Sequence, residues 1–149
     1  MAHRYLEDFA PGEETTIGEA VVSADEIRAF ASHYDPQPFH LDEGAAAEKF
    51  GGLIASGWHT CALIMRLIVD NFIDGETSLG SPGLGPIRWL HPVRPGQRLR
   101  ARITVRQARP SRSKPDRGTL VFDVEAIDEY DIPVMTIENW IGIVLRRPA

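Results

Sequence analysis

The sequence predicts an α+β fold in which one long hydrophobic helix is wrapped by an antiparallel sheet. Three observations carry this expectation. Residues Gly57 to Ile73 place apolar side chains on nearly every face of a helix, the pattern of a segment buried in a core. Everything after Pro86 reads as strands joined by short connections, which suit antiparallel pairing. With 149 residues, 43% hydrophobic and 25% charged, the chain suffices for one domain (1–149) with a full core, and no repeat or linker divides it.

In chain order, residues 15–22 alternate loosely and read as a first strand. Ser23-Ala24-Asp25-Glu26 is a capping box, in which Ser23 accepts from the Glu26 amide and the Glu26 carboxylate reaches back. Ile27, Phe30, Ala31 and Tyr34 follow at i, i+3, i+4 and i+7, one apolar stripe of a short helix. Pro36 and Pro38 stop that helix near Tyr34, since each fixes its own φ, lacks a donor and pushes its predecessor towards extended geometry. Asp42 to Phe50 is alanine-rich and predicts a second helix, ended by Gly51-Gly52.

Ser56 is the expected N-cap of the long helix. Trp58, Met65 and Phe72 read as core, and Cys61 as a small buried hydrophobe. His59, Arg66 and Asp70 interrupt the apolar run before it reaches the roughly 20 residues a membrane span needs. Residues 75–86 form a glycine- and proline-rich loop, 87–93 a strand and 94–97 a turn. From 98 to 106, Leu99, Ala101, Ile103 and Val105 alternate with Arg98, Arg100, Arg102, Thr104 and Arg106. A polar loop (110–118), a strand (120–127), a turn (128–131) and a last strand (132–145) complete the chain.

The net charge of -5 speaks against a general nucleic-acid binder, which needs a basic excess over its footprint. Residues 1–8 hold no apolar run, so the expectation is no secretory signal and a cytoplasmic location. A single cysteine leaves no internal disulfide and no cysteine-based metal cluster.

The pointer to chemistry is Asp35-Pro36-Gln37-Pro38-Phe39-His40. It sets a carboxylate and an imidazole five residues apart on a loop stiffened by two prolines. Proton transfer needs such a rigid presentation, because misplacement costs rate steeply. Read alone, Asp35 could simply cap the turn and His40 be a satisfied buried histidine. A metal site from His33, Asp35 and His40 has suitable donors, but its spacing matches no metal motif.

Three segments together resemble the MaoC-like dehydratases, which include the (R)-specific enoyl-CoA hydratases. The first is the Asp35–His40 loop followed by Leu41-Asp42, against the family's Asp-x-Asn-Pro-x-His signature. The second is Ile54-Ala55-Ser56-Gly57 opening the long helix, and the third is the run from Ile87 to Gly96. The resemblance covers essentially the whole chain. It implies a hot dog fold, an antiparallel sheet around a central helix, and at least a homodimer. It also implies reversible syn hydration of a trans-2-enoyl-CoA to an (R)-3-hydroxyacyl-CoA. In that scheme Asp35 and His40 hold one water, His40 takes a proton from it, Asp35 shuttles the proton bound for Cα, and the Gly57 amide donates to the thioester oxygen. No metal or redox cofactor enters; coenzyme A arrives as part of the substrate.

Gln37 stands where the signature usually has Asn, and Ser56 where many members carry His; both are expected at the substrate. Phe39, Trp58 and His59 are candidates for the acyl tunnel. Ten of the sixteen basic residues lie between Arg88 and Arg117, opposed within that window only by Asp116. Arginines of 98–106 read as a solvated face, with Asp123 and Glu125 available as cross-strand partners for Arg100 or Arg102. Arg112, Lys114 and Arg117 suit either solvent or the phosphates of coenzyme A. The rival functions are a hot dog acyl-CoA thioesterase using Asp35, and a non-catalytic acyl-CoA-binding module.

Overall fold

Ser23 starts the first helix in the computed structural model, which describes residues 2–149. Its Oγ accepts from the Glu26 N–H at 3.1 Å, and Glu26 Oε1 accepts from the Ser23 N–H at 3.2 Å. Such a cap is worth about 1 kcal/mol. Helix α1 (Ala24–Tyr34) runs from there and buries Ile27 and Ala31. Helix α2 (Glu43–Phe50) is capped by Asp42, which accepts from the Ala45 N–H at 2.8 Å. It ends at Gly51, whose φ of 73° is the left-handed conformation glycine adopts without steric cost. Helix α3 (Gly57–Asn71) follows, with Ser56 as N-cap.

Five strands, β1 (Glu14–Val21), β2 (Ile87–Trp89), β3 (Arg98–Pro110), β4 (Arg117–Ile127) and β5 (Pro133–Leu145), form one sheet. Their order is β1-β3-β4-β5-β2 and every pairing is antiparallel. Alternation decides which face is covered. Leu99, Ala101, Ile103 and Val105 of β3 and Leu120, Phe122, Val124 and Ala126 of β4 are all buried. Ile64, Leu67 and Ile68 of α3 join them in one core. Phe72 sits edge-on to Phe122, which stacks on Trp140 with ring centroids 5.4 Å apart. This is the hot dog arrangement, with the long helix laid against one face of an antiparallel sheet.

Helix α3 departs from the sequence expectation. It is not buried on every side: Trp58, Met65 and Val69, one stripe at i, i+7 and i+11, are 60%, 40% and 44% exposed. Cys61 is only half-buried, whereas Phe72 is buried. The sheet covers one face of the helix, and this stripe on the other stays partly open to solvent.

The strand expected over 87–93 stops at Trp89. The Leu90 N–H still bonds the Val134 carbonyl at 2.9 Å, but Pro92 has no donor to continue the ladder. Val93 turns its carbonyl to the Ala55 N–H at 2.8 Å, tying this segment to the chain entering α3. The polar loop is shorter than the expected 110–118, because Pro110 and Gly118 still face each other in the β3–β4 ladder.

The β3 arginines from Arg98 to Arg106 are ion-paired on the outer face. Arg102 lies opposite Glu125 and bonds it at 3.0 Å, Arg106 holds Asp123 at 2.7 Å, and Arg100 pairs with Asp131. Exposed pairs of this kind contribute at most about 1 kcal/mol each, so their meaning is occupancy rather than stability. Arg117 takes Asp116 at 2.9 Å, and their loop lies beside the C-terminal residues. No helix of the described residues is long and apolar enough to cross a membrane.

Candidate active site

The turn after α1 is built by its own backbone. The Asp35 N–H caps the Ala31 carbonyl at 2.9 Å, the Gln37 N–H bonds the Asp35 carbonyl at 2.8 Å, and the His40 N–H bonds the Gln37 carbonyl at 3.0 Å. Pro38 to His40 form a single tight helical turn, with the proline at its favoured first position. Asp35 and His40 thereby come to the same side of the loop.

His40 is buried, and its ring orientation is fixed by chemistry. Nδ1 lies 2.7 Å from the Ile54 carbonyl, which can only accept, so Nδ1 carries the proton. Phe39 supports the ring edge-on at 4.5 Å. In the neutral ring Nε2 is then the basic nitrogen, and it lies 3.2 Å from Asp35 Oδ2.

The Asp35 carboxylate has a donor on each oxygen. Gln37 Nε2 donates to Oδ1 at 2.7 Å, and Ser56 Oγ donates to Oδ2 at 2.7 Å. Burial pushes the Asp35 pKa up, but the hydrogen bonds from Gln37 and Ser56 and the adjacent His40 outweigh it. The net effect holds the carboxyl below the usual aspartate value. Asp35 is thus an anion at neutral pH.

These groups open onto a cleft of about 360 Å³. Asp35, Gln37, His40 and Gly57 line it, together with the apolar Ile54, Ala55, Trp58, Leu90 and Val93. Among the described residues no acceptor takes the Gly57 N–H, which stands at the start of α3. Ser56 is fully buried and reaches the cleft only through Asp35, while its Oγ also caps α3 by accepting from the Trp58 N–H at 3.3 Å.

Of the three tunnel candidates, only Trp58 lines the cleft. Phe39 packs behind His40, and His59 is buried against Phe30 with its ring stacked at 4.6 Å. Burial lowers the His59 pKa, which keeps that ring neutral. His33 turns away, its Nδ1 donating to the Ala29 carbonyl at 2.9 Å. Among the described residues no three His, Cys, Asp or Glu side chains gather to hold a metal ion. None of the arginines between 88 and 117 lines the cleft. Sequence reasoning gave Trp89, Leu90 and His91 no role, although they sit in the Ile87–Gly96 run and form one wall.

Comparison with known proteins adds relatives to this geometry. The family model described as MaoC like domain matches residues 8–125. Nodulation protein N of Rhizobium meliloti is 34% identical over 140 residues, spanning 89% of this chain and 81% of that protein. A crystal structure of the MaoC-like dehydratase from Rhodospirillum rubrum superposes with a TM-score of 0.89 at 38% identity, over 98% of this chain and 99% of that one. The R-hydratase PhaJ1 from Pseudomonas aeruginosa shares the fold, with a TM-score of 0.73 at 19% identity over 97% of this chain and 86% of that one.

Proposed function

The chain belongs to the family of MaoC-like domains, and from that premise we propose that it is a hydro-lyase interconverting a trans-2-enoyl-CoA, or a related acyl thioester, and the (R)-3-hydroxyacyl thioester. The observation that carries this reading is the Asp35–His40 pair, with Oδ2 and Nε2 3.2 Å apart. In the neutral ring both atoms are acceptors. A water beside them satisfies both by donating one O–H to each, which aims its oxygen lone pairs into the cleft. The R-hydratase with the same fold is named for this chemistry.

As the water oxygen bonds to Cβ, His40 Nε2 takes its proton and the C=C electrons move onto the thioester oxygen. The Gly57 N–H, at the positive end of α3, donates to that oxygen as charge builds on it. The proton passes from Nε2 to Asp35 Oδ2 and from there to Cα, so one water is added and no net proton is consumed. Both new bonds form on the face turned to the loop, which makes the addition syn. The lowered pKa of Asp35 suits a relay that is empty at rest and quick to release what it receives. The scheme needs no metal or redox cofactor, and coenzyme A enters with the substrate.

We read the exposed Trp58, Met65 and Val69 stripe as the face a second copy covers, since apolar helix stripes of this kind mark interfaces. Sedimentation measures it: a homodimer or larger assembly is expected, and a monomer at micromolar concentration overturns it.

The test of function is the absorbance of enoyl thioesters, from crotonyl-CoA upward, with a thiol reagent read in parallel. Loss of absorbance without free thiol is expected. Thiol release would make the protein a thioesterase. Binding without either signal would make it an acyl-CoA-binding module.

A further inference from the structure

Gly57 is not in the left-handed region, so its own backbone does not demand glycine. The reason is a neighbour. A Cβ placed on Gly57 would lie 2.5 Å from Trp89 Nε1, 2.6 Å from Cε2 and 3.0 Å from Cδ1. The indole of Trp89 therefore lies flat against the Gly57 Cα. In that position its Nε1–H donates to the Gly57 carbonyl at 2.9 Å. Trp58 braces the same ring edge-on, with centroids 5.5 Å apart.

Trp89 ends β2, a short edge strand, and is 45% exposed, so burial alone does not hold it. The bond to Gly57 joins the sheet edge to the first residue of α3 across 32 positions of sequence. Glycine has the widest backbone freedom of any residue, and at a helix start no earlier turn restrains it. The Trp89 bond holds the Gly57–Trp58 peptide. The preceding Ser56–Gly57 peptide, which carries the Gly57 N–H, is held by its carbonyl, which accepts from the His59 and Thr60 N–H groups at 2.9 and 3.1 Å. With the peptides on both sides fixed, the glycine cannot turn and its N–H keeps one direction. An oxyanion donor works by being held in place before charge develops.

We infer that Trp89 is a positioning residue for the Gly57 amide: its indole N–H locks the first peptides of α3 so that the Gly57 N–H aims at the thioester carbonyl. This rests on the hydratase reading of the cleft. The ring face also forms a wall, but the two roles separate experimentally, because phenylalanine keeps a ring and loses the N–H.

The experiment compares wild type with Trp89→Phe, with thermal melts to establish that both are folded. Its first readout is kcat and KM on the best enoyl-CoA. Its second is the infrared carbonyl stretch of a bound, carbon-13-labelled saturated acyl-CoA, which cannot be hydrated and reports polarisation of the carbonyl alone. Loss of a positioning hydrogen bond predicts a fall in kcat of about tenfold with KM changed by less than about threefold, and a smaller red shift of the carbonyl. An unchanged carbonyl shift in Trp89→Phe overturns the inference and leaves the indole as a wall. An unshifted carbonyl in the wild type overturns it as well. Should the wild type polarise the carbonyl yet hydrate nothing, the hydratase reading falls, and the carbonyl comparison still decides the role of Trp89.

Discussion

Ser56 Oγ donates to Asp35 Oδ2 at 2.7 Å while accepting from the Trp58 N–H at 3.3 Å. One hydroxyl thus caps the central helix and holds the carboxylate of the site. Gln37 holds the other carboxylate oxygen at 2.7 Å. Gln37 and Ser56 thus converge on the same group from two separate segments of the chain. The result is an anionic Asp35 with one open side, turned to His40.

Asp35→Asn and His40→Gln are expected to lower kcat by about 10²–10⁴-fold each, the range of general acid–base contributions. Both variants should melt cooperatively, because the pair faces a cleft. Steady-state rates on the preferred enoyl-CoA check this, and near-wild-type turnover in either variant contradicts the assigned roles.

Ser56→Ala removes a cap and a carboxylate donor together. A loss of about 1 kcal/mol of stability is expected from the cap. The Asp35 pKa should rise, since a donor that favours the anion is gone. Carboxyl NMR titration of Asp35 reads this directly. Gln37→Leu should raise the same pKa and, at neutral pH, lose the stability linked to that pKa but not the cap's contribution, because Gln37 donates no helix cap bond.

Gly57→Ala puts a methyl group where the Trp89 indole lies. The ring must move, so tryptophan fluorescence should change and kcat should fall even though alanine is the better helix former. A variant that is more stable, fully active and spectroscopically unchanged would contradict the packing.

The lowered Asp35 pKa fixes the sign of a pH effect. A carboxyl depressed in the folded state contributes stability that is complete above its unfolded pKa of about 3.9 and is lost as pH falls through the lower folded value. Wild type should therefore lose stability relative to Asp35→Asn below about pH 4 and hold a constant difference above pH 5. Urea midpoints at several pH values measure it, and a difference independent of pH would contradict the assignment.

Local rules read much of this fold from the sequence. The Ser23–Glu26 box, the Pro-stiffened turn, Gly51 and the alternation of β3 each depend on residues a few positions apart, and the structure keeps all four. The hydroxyl of Ser56 lies 21 positions from Asp35 and the indole of Trp89 lies 32 from Gly57. No periodicity reports contacts of that range. The apolar surplus of α3 was visible, but a pattern cannot say whether the chain's own sheet covers each face. Likewise, the arginines of β3 were legible as a charged face, while Arg100 finding Asp131 beyond the next strand depended on the turn that presents it.

Addition of one water by Asp35 and His40 to a single side of the double bond leaves a stereochemical record, which hydration in D₂O followed by NMR of the product reads. One deuteron is expected at C2, syn to the C3 hydroxyl, in a product of (R) configuration, with the reaction lost in Asp35→Asn and His40→Gln. Anti addition, a mixture of C3 configurations, or undiminished product in either variant would contradict it.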